Sequence, residues 1–414
     1  MRISTQQIHA QALNQMLDVQ RQTADTQQQI ATGRKYATAA DDPLAAVGVE
    51  RLNRELAVRE QYEKNIDLAD SELRLEESTL DQAMDLLQRV RELAVQAGNP
   101  VTSAEDRGFI ATEVESRLDE LMDVMNTRLA SGDYLFGGTA GGQPPFVRDA
   151  GGAVRYQGDE GQRAVQIDGS TRLPVNDSGQ RVFMDVASNR TVATARAHPG
   201  NGDPGAAVAG QPRTTDQQAL ESLAPDGLVV EFQPLADDPG GLPNYTVRRR
   251  SDGRVVDGLE NVRFEPGAAI EAGGVALDIQ GQPRAGDRFL VETSEKQDVL
   301  TTVSKLAEGL RSLSASGEDA DAYQTLLGDT YTNLDNAMAS ILEAEAEIGA
   351  RMNVMESVRE QHAEVKELST DLKSDLEDVD FAKAISDLDH QTVVLEAAQQ
   401  SFMRISRLSL FDAI

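Results

Sequence analysis

The stretch SGDYLFGGTAGGQPP, residues 131–145, separates two textures of chain. Gly132, Gly137, Gly138, Gly141, Gly142, Pro144 and Pro145 exclude a continuous helix through it. Glycine gives up the most backbone entropy on ordering, and an interior proline removes a helical hydrogen bond. Before this stretch, from Pro43 to about Ala97, the residues Leu52, Leu56, Ile66, Leu73, Leu80, Leu87 and Ala94 recur mostly at steps of four or seven. Tyr62, Ala69, Met84 and Val90 fill the gaps. This near-heptad pattern predicts one long coiled-coil helix of about 80 Å at 1.5 Å per residue. Gly98 and Pro100 end it, and TSAE, with Thr102 and Glu105 at capping-box spacing, opens a third helix along Ile110, Val114, Leu118, Leu121, Met125 and Leu129.

Beyond the stretch, as far as about Thr293, Gly, Pro and Asp accumulate around short β-prone runs: VRYQ, RAVQI, RVFMDV, LVVEFQPL, NYTVRR and RFLVET. These predict an inserted, mainly β domain, in which HPGNGDPGAAVAGQPR, residues 198–213, reads as a mobile loop. Helices resume at SEKQDVLTTVSKLAEGL. From about Ala320 a heptad runs through Leu327, Leu334, Met338, Ile341, Ile348, Met352, Met355, His362, Val365 and Leu372, with charged residues on the other faces.

The chain begins and ends on shorter helices. Residues 1–31 are rich in Gln and Ala, with a sparse stripe through Ile8, Leu13, Met16, Leu17, Val19 and Ile30. Gly33 is placed to end that helix, and Asp41 or Asp42 to cap the next at Pro43. Asp380 is placed to cap a last helix carrying Phe381, Ile385, Leu388, Leu395, Phe402, Ile405 and Leu408. The expected fold is mainly α with an inserted β domain. It is an elongated helical rod, a coiled-coil bundle built from the N- and C-terminal segments around a central mainly-β domain. The expected division is terminal helices at 1–42 and 376–414, the rod at 43–132 and 294–375, and the insert at 133–293.

Composition narrows the function. A net charge of −30 argues against nucleic acid and against anionic membrane surfaces. The absence of Cys removes disulfides, thiol catalysis and thiolate metal sites. No run approaches the roughly 20 apolar residues of a membrane span. MRISTQQIHAQALNQ has no apolar core of a secretory signal, so export would require another route. His9, His198, His362 and His390 fall in no ligand-gathering spacing, and HAEVKE at His362 is not a zinc-protease motif. Nucleotide-binding and nucleophile-elbow motifs are missing too. The acidic pairs Asp41–Asp42, Glu76–Glu77 and Asp237–Asp238 read as caps or solvated faces, and the helical methionines as core filling. The expectation is a non-enzyme without cofactor or metal.

The last stretch, QQSFMRISRLSLFDAI, stays apolar to Ile414, while the N-terminal helix carries Gln20, Gln27 and Gln28 where a tight partner would carry Leu. Apolar surface is therefore left over, and neighbouring copies or another subunit are expected to cover it. Both termini are expected to be partly disordered in the monomer and to fold as a coiled coil on assembly. The expected contacts are Ile8, Leu13, Leu17, Phe381, Ile385, Leu388, Leu395, Phe402, Ile405 and Leu408.

QQQIATGRKYATAADDPLAAV (27–47) and DLEDVDFAKAISDL (375–388) resemble the helix turns of the bacterial flagellin family. SGDYLFGGT, VRYQGDEGQRAVQIDGSTRLPVNDSGQRVF (154–183), Asp41–Asp42–Pro43, GDRFLV (286–291) and the ending LSLFDAI are similar to the branch that sits between hook and filament. Residues 186–285 carry no such resemblance. The resemblance implies a substrate of the flagellar type III export system, passed out unfolded and assembled outside the cell. It implies a ring of like subunits between hook-associated protein 1 and flagellin, and a cytoplasmic export chaperone on the C-terminal region. The alternatives are a flagellin that forms the filament itself, or an adhesin-like binding module on the β insert.

Overall fold

The computed structural model describes residues 5–148, 154–202, 206–233 and 243–411, with side chains over 10–148, 154–202, 206–233, 243–317 and 319–404. Its helices are α1 (Thr5–Thr32), α2 (Pro43–Ala97), α3 (Ala104–Met125), α4 (Gln217–Leu223), α5 (Val299–Ser312), α6 (Ala320–Glu377) and α7 (Phe381–Phe411). The fold is mainly α at both ends with a β-rich span between, as the sequence predicts. The chain divides into two units, Met1–Ile66 with Glu356–Ile414, and Asp67–Met355.

In the unit Asp67–Met355, α2 buries Ala69, Leu73, Leu80, Leu87 and Ala94, and α6 buries Leu327, Leu334, Ile341 and Ile348. Both sets advance mostly by seven, so each helix hides one seam. The Tyr323 hydroxyl on α6 donates to the Ala97 carbonyl at 2.8 Å and so occupies an orphan acceptor at the end of α2, and the Tyr331 hydroxyl joins the Gly98 N–H on the Ala94 carbonyl at 3.1 Å. Gly98 sits beneath them, where a Cβ would lie 3.2 Å from Leu327 Cδ1 and 3.3 Å from the Tyr331 oxygen. Helix α3 packs on α5 through Ile110, Val114, Leu118 and Leu121 against Val303, Leu306 and Leu310.

The cap of α3 corrects the expected pairing of Thr102 with Glu105. Ser103 is the N-cap and Asp106 completes the capping box. The Thr102 hydroxyl instead donates to the Gln96 carbonyl at 3.0 Å, which holds Thr102 in the preceding turn.

The β-rich span centres on a five-stranded antiparallel sheet in the order Val262–Arg263, Asn244–Arg249, Gly227–Gln233, Arg288–Lys296, Ala187–Ala197. Its core is aromatic, with Phe232 edge-on to Phe264 and Phe289 at 5.2 and 5.8 Å. Residues 198–213 are not all loop, because Ala207–Ala209 pairs antiparallel with Ile279–Gly281. RVFMDV is not a strand: Gln180–Met184 forms one π-helical turn, which buries the adjacent Val182 and Phe183 together. A strand would point those two side chains to opposite faces.

One buried acid joins this span to the helices. Glu76 of α2, expected on a solvated face, is wholly buried. Its Oε1 accepts the Asp177 backbone N–H at 2.9 Å, and its Oε2 has no donor. Asp177, also fully buried, accepts from Arg181, Arg351 and Gln162 at 2.7, 2.9 and 2.7 Å. Glu347 on α6 receives the same two arginines at 2.8 and 3.0 Å. Desolvation, reinforced by the Asp177 carboxylate, pushes the Glu76 carboxyl up to about 8. Of the other acidic pairs, Asp42 caps α2 through the Ala45 N–H at 3.0 Å, and Asp237 and Asp238 lie outside the described residues.

Candidate assembly interface

In the other unit, α1 packs along α7. The residues of α1 turned from solvent are Ala12, Met16, Val19, Thr23, Thr26 and Ile30, with Gln29 beside the last. Those of α7 are Ala384, Leu388, Gln391, Leu395, Ala398 and Phe402, with Thr392 beside Gln391. The main stripe of each set advances by alternating steps of four and three, which is a heptad seam. It is a thin one. The Thr23 and Thr26 hydroxyls donate to their own helix, to the Val19 and Gln22 carbonyls at 2.9 Å each, and leave only methyl groups for the partner.

The turn that closes the pair is specific. Gly33, at φ +72°, donates to the Gln29 carbonyl at 2.8 Å and ends α1 in a conformation glycine adopts freely. Its carbonyl accepts the Val379 N–H at 2.9 Å, and the Lys35 N–H donates to the Glu377 carbonyl at 2.7 Å. These bonds tie the segment after α1 to the link between α6 and α7. An Arg34–Glu377 ion pair at 3.0 Å and a Lys35 ammonium bond to the Asp375 carbonyl support them. Asp380 caps α7 through the Lys383 N–H at 3.1 Å. Thr38 bonds to Asp41 through its N–H and hydroxyl, and these bonds hold the Asp41 carboxyl below the usual range.

The expected contact residues separate into three groups. Leu13 and Leu17 are 43% and 42% exposed, one turn apart on α1, and Phe381 and Ile385 are each 50% exposed, one turn apart on α7. Leu388, Leu395 and Phe402 are half-buried in the α1–α7 seam. The side chains of Ile8, Ile405 and Leu408 lie outside those described, as do Phe411 and Ile414. Completing the burial of the four exposed residues is worth roughly 3–6 kcal/mol, half the value of 1.5–3 kcal/mol for a fully buried side chain of this size.

Sequence reasoning missed Val393, Val394 and Met403 on α7, and Leu44 and Val47 on α2, all exposed. The Val393–Val394 doublet was the available signal. Neighbours 100° apart on a helix cannot both enter a narrow seam, so one must face outward. The surroundings are poor in charge: α1 carries only Asp18, Arg21 and Asp25 over its 28 residues. Among the described residues no cluster of His, Cys, Asp or Glu is arranged to hold a metal ion, and no helix is long and apolar enough to cross a membrane.

Residues 3–140 match the bacterial flagellin N-terminal helical region. The chain is 31% identical over 189 residues to flagellar hook-associated protein 3 of Salmonella typhimurium, an alignment spanning 46% of this chain and 59% of that relative. It is 23% identical over 412 residues to the Escherichia coli protein of the same name, covering 100% of this chain and 99% of the relative. The crystal structure of flagellar hook-associated protein 3 from Legionella pneumophila superposes with a TM-score of 0.53 at 28% identity, over 79% of this chain and 98% of that one. The terminal helix pair, the β-rich span between the helices and these matches together make the chain similar to the bacterial flagellin family, and to relatives named flagellar hook-associated protein 3 in particular.

Proposed function

We propose that this chain is the structural adaptor between the flagellar hook and the flagellin filament. It is a component of the flagellum and works by position rather than by catalysis. Like subunits form a ring through their terminal helices, with hook-associated protein 1 on one side and flagellin on the other. The terminal segments 1–42 and 376–414 form the inner contacts, 43–132 and 294–375 the rod around them, and 133–293 the outer insert. Export is through the flagellar type III system to the cell exterior, with a cytoplasmic chaperone on the C-terminal region before passage.

The observation that carries this reading is the exposed pairs Leu13–Leu17 and Phe381–Ile385 on two thinly packed helices, of which α1 is nearly uncharged. A helix whose outer face meets water for good normally carries charge there. The Gln-rich face of α1 suits burial against other helices, because a neutral amide carries no charge to desolvate. Ile8, Ile405 and Leu408 extend the proposed contact toward the chain ends. A filament-forming flagellin is the weaker reading, because the Escherichia coli hook-associated protein 3 aligns over 100% of this chain and the flagellin of Clostridium tyrobutyricum over 90%.

The test is complementation in cells lacking the chromosomal copy. Leu13→Asp with Leu17→Asp, or Ile405→Asp with Leu408→Asp, should leave α2 and α6 folded and the cells without attached filaments. Normal filament attachment by both double variants would refute the reading.

A further inference from the structure

The weakest layer of the α1–α7 seam is also its least satisfied. Counting from the Val379–Gly33 hydrogen bond, Thr23 and Gln391 lie about 15 and 18 Å along their helices at 1.5 Å per residue, so they share one layer. On one side of that layer come Val19 and Leu395, and on the other Thr26 and Leu388, all turned from solvent. The Thr23 hydroxyl has a single proton, and it is committed to the Val19 carbonyl at 2.9 Å. Gln391 Oε1 is buried and has no donor. An orphaned buried acceptor weakens the element that holds it by about tenfold or more.

We infer that Gln391 is the specificity-determining position of the terminal helix pair, and that α1 of a second copy of this chain supplies the donor its amide oxygen lacks. This rests on the assembly reading above. The side chains of α1 select the occupant. The exposed face of α1 carries Gln11, Gln15, Gln20, Gln22, Gln27 and Gln28, each with a neutral NH2 donor. A carboxamide enters a half-apolar seam without stripping water from a charge, which a Lys or Arg donor cannot do. Sliding the intrachain pair by one heptad would oppose the Gln391 amide to Met16 or Ile30, whereas the exposed face of α1 repeats its amides one heptad apart at Gln15 and Gln22 and at Gln20 and Gln27. Gln391 therefore keeps the intrachain pair weak enough to exchange and rewards the arrival of a neighbour's amide.

Gln391→Met removes the acceptor at nearly constant volume. In the soluble full-length chain, backbone amide exchange over residues 12–30 and 384–402 should slow about tenfold. Unchanged exchange over 67–97 would verify that the rest of the fold is intact. The amount of the variant in purified hook–filament junctions should fall at least about tenfold in cells lacking the native chain. Unchanged exchange over the terminal helices, or a junction content equal to the native chain's, overturns the inference. Leu13→Asp with Leu17→Asp separates the two levels. If that chain is excluded from junctions while Gln391→Met enters normally, only the role of Gln391 fails. If both enter normally, the terminal-helix reading fails with it.

Discussion

Glu76→Gln should make the chain more stable in base and less stable in acid. In the unfolded chain this carboxyl loses its proton near 4.5, and in the folded chain burial holds the proton to about 8. Between those values the folded state binds more protons than the unfolded state, so stability falls as pH rises and the loss is complete above about pH 8. At about 1.4 kcal/mol per decade of acidity, the full swing is about 5 kcal/mol. The substituted amide would keep an acceptor for the Asp177 N–H, now at 2.9 Å, and cannot ionise. Its NH2 would take the place of the unpartnered Oε2, a buried group left without a partner, at a cost of about 1–3 kcal/mol. The variant should therefore be about 2–4 kcal/mol more stable than the native chain at pH 9 and about 1–3 kcal/mol less stable at pH 4.5. A chain of two units has no single unfolding free energy, so the assay is local. Amide exchange over residues 70–83 and 174–183, followed from pH 5 to 9 and corrected for intrinsic rates, reads the opening of this joint directly. Parallel profiles for the two chains across that range would refute a buried, proton-holding Glu76.

Other substitutions probe the same joint and the terminal turn. Arg351→Met leaves the buried Asp177 carboxylate with Arg181 as its one guanidinium partner, and should cost about 3–5 kcal/mol in local stability of residues 174–183, again by exchange. Gly33→Val forces a β-branched residue to φ +72° and should cost about 2 kcal/mol at the α1 terminus, seen as faster exchange over residues 20–32 with 67–97 unaffected. If Gly33→Val leaves α1 exchange unchanged, the turn does not hold the pair.

Much of this architecture is legible in local signals. Pro43, Gly98 and Asp380 mark helix boundaries that the structure places at Pro43–Ala97 and from Phe381, because caps and prolines act within one turn. The α6 heptad reads correctly as far as His362, which is buried and lies beside the Tyr62 ring at 5.7 Å. The failures share a cause, which is dependence on partners distant in sequence. TSAED offers two overlapping capping frames, and only the contact of Thr102 with Gln96 chooses Ser103. RVFMDV has strand composition, yet burying Val182 beside Phe183 requires a helical turn. Glu76 looks like a surface acid beside Glu77 until a segment a hundred residues later brings Asp177 and Arg181, and α6 brings Arg351, around it. In the candidate interface the sequence groups Leu13 and Leu17 with Met16, Val19 and Ile30 in one stripe of α1, while the seam keeps the last three, adds Ala12, Thr23 and Thr26, and leaves Leu13 and Leu17 out. Large apolar residues draw the eye, but small ones permit close helix approach and leave the large ones outside.

Those outside residues are the centre of the proposed function, and one comparison addresses them most directly. Backbone amide exchange would be measured over residues 10–32 and 381–404, first in the soluble monomer and then in the same chain within isolated hook–filament junctions. An assembly role for the terminal helices predicts marginal protection in the monomer, rising by at least about a hundredfold in the junction as Leu13, Leu17, Phe381 and Ile385 are covered. Equal protection in both states would mean that the α1–α7 pair is already complete alone, and would contradict joining through the chain ends.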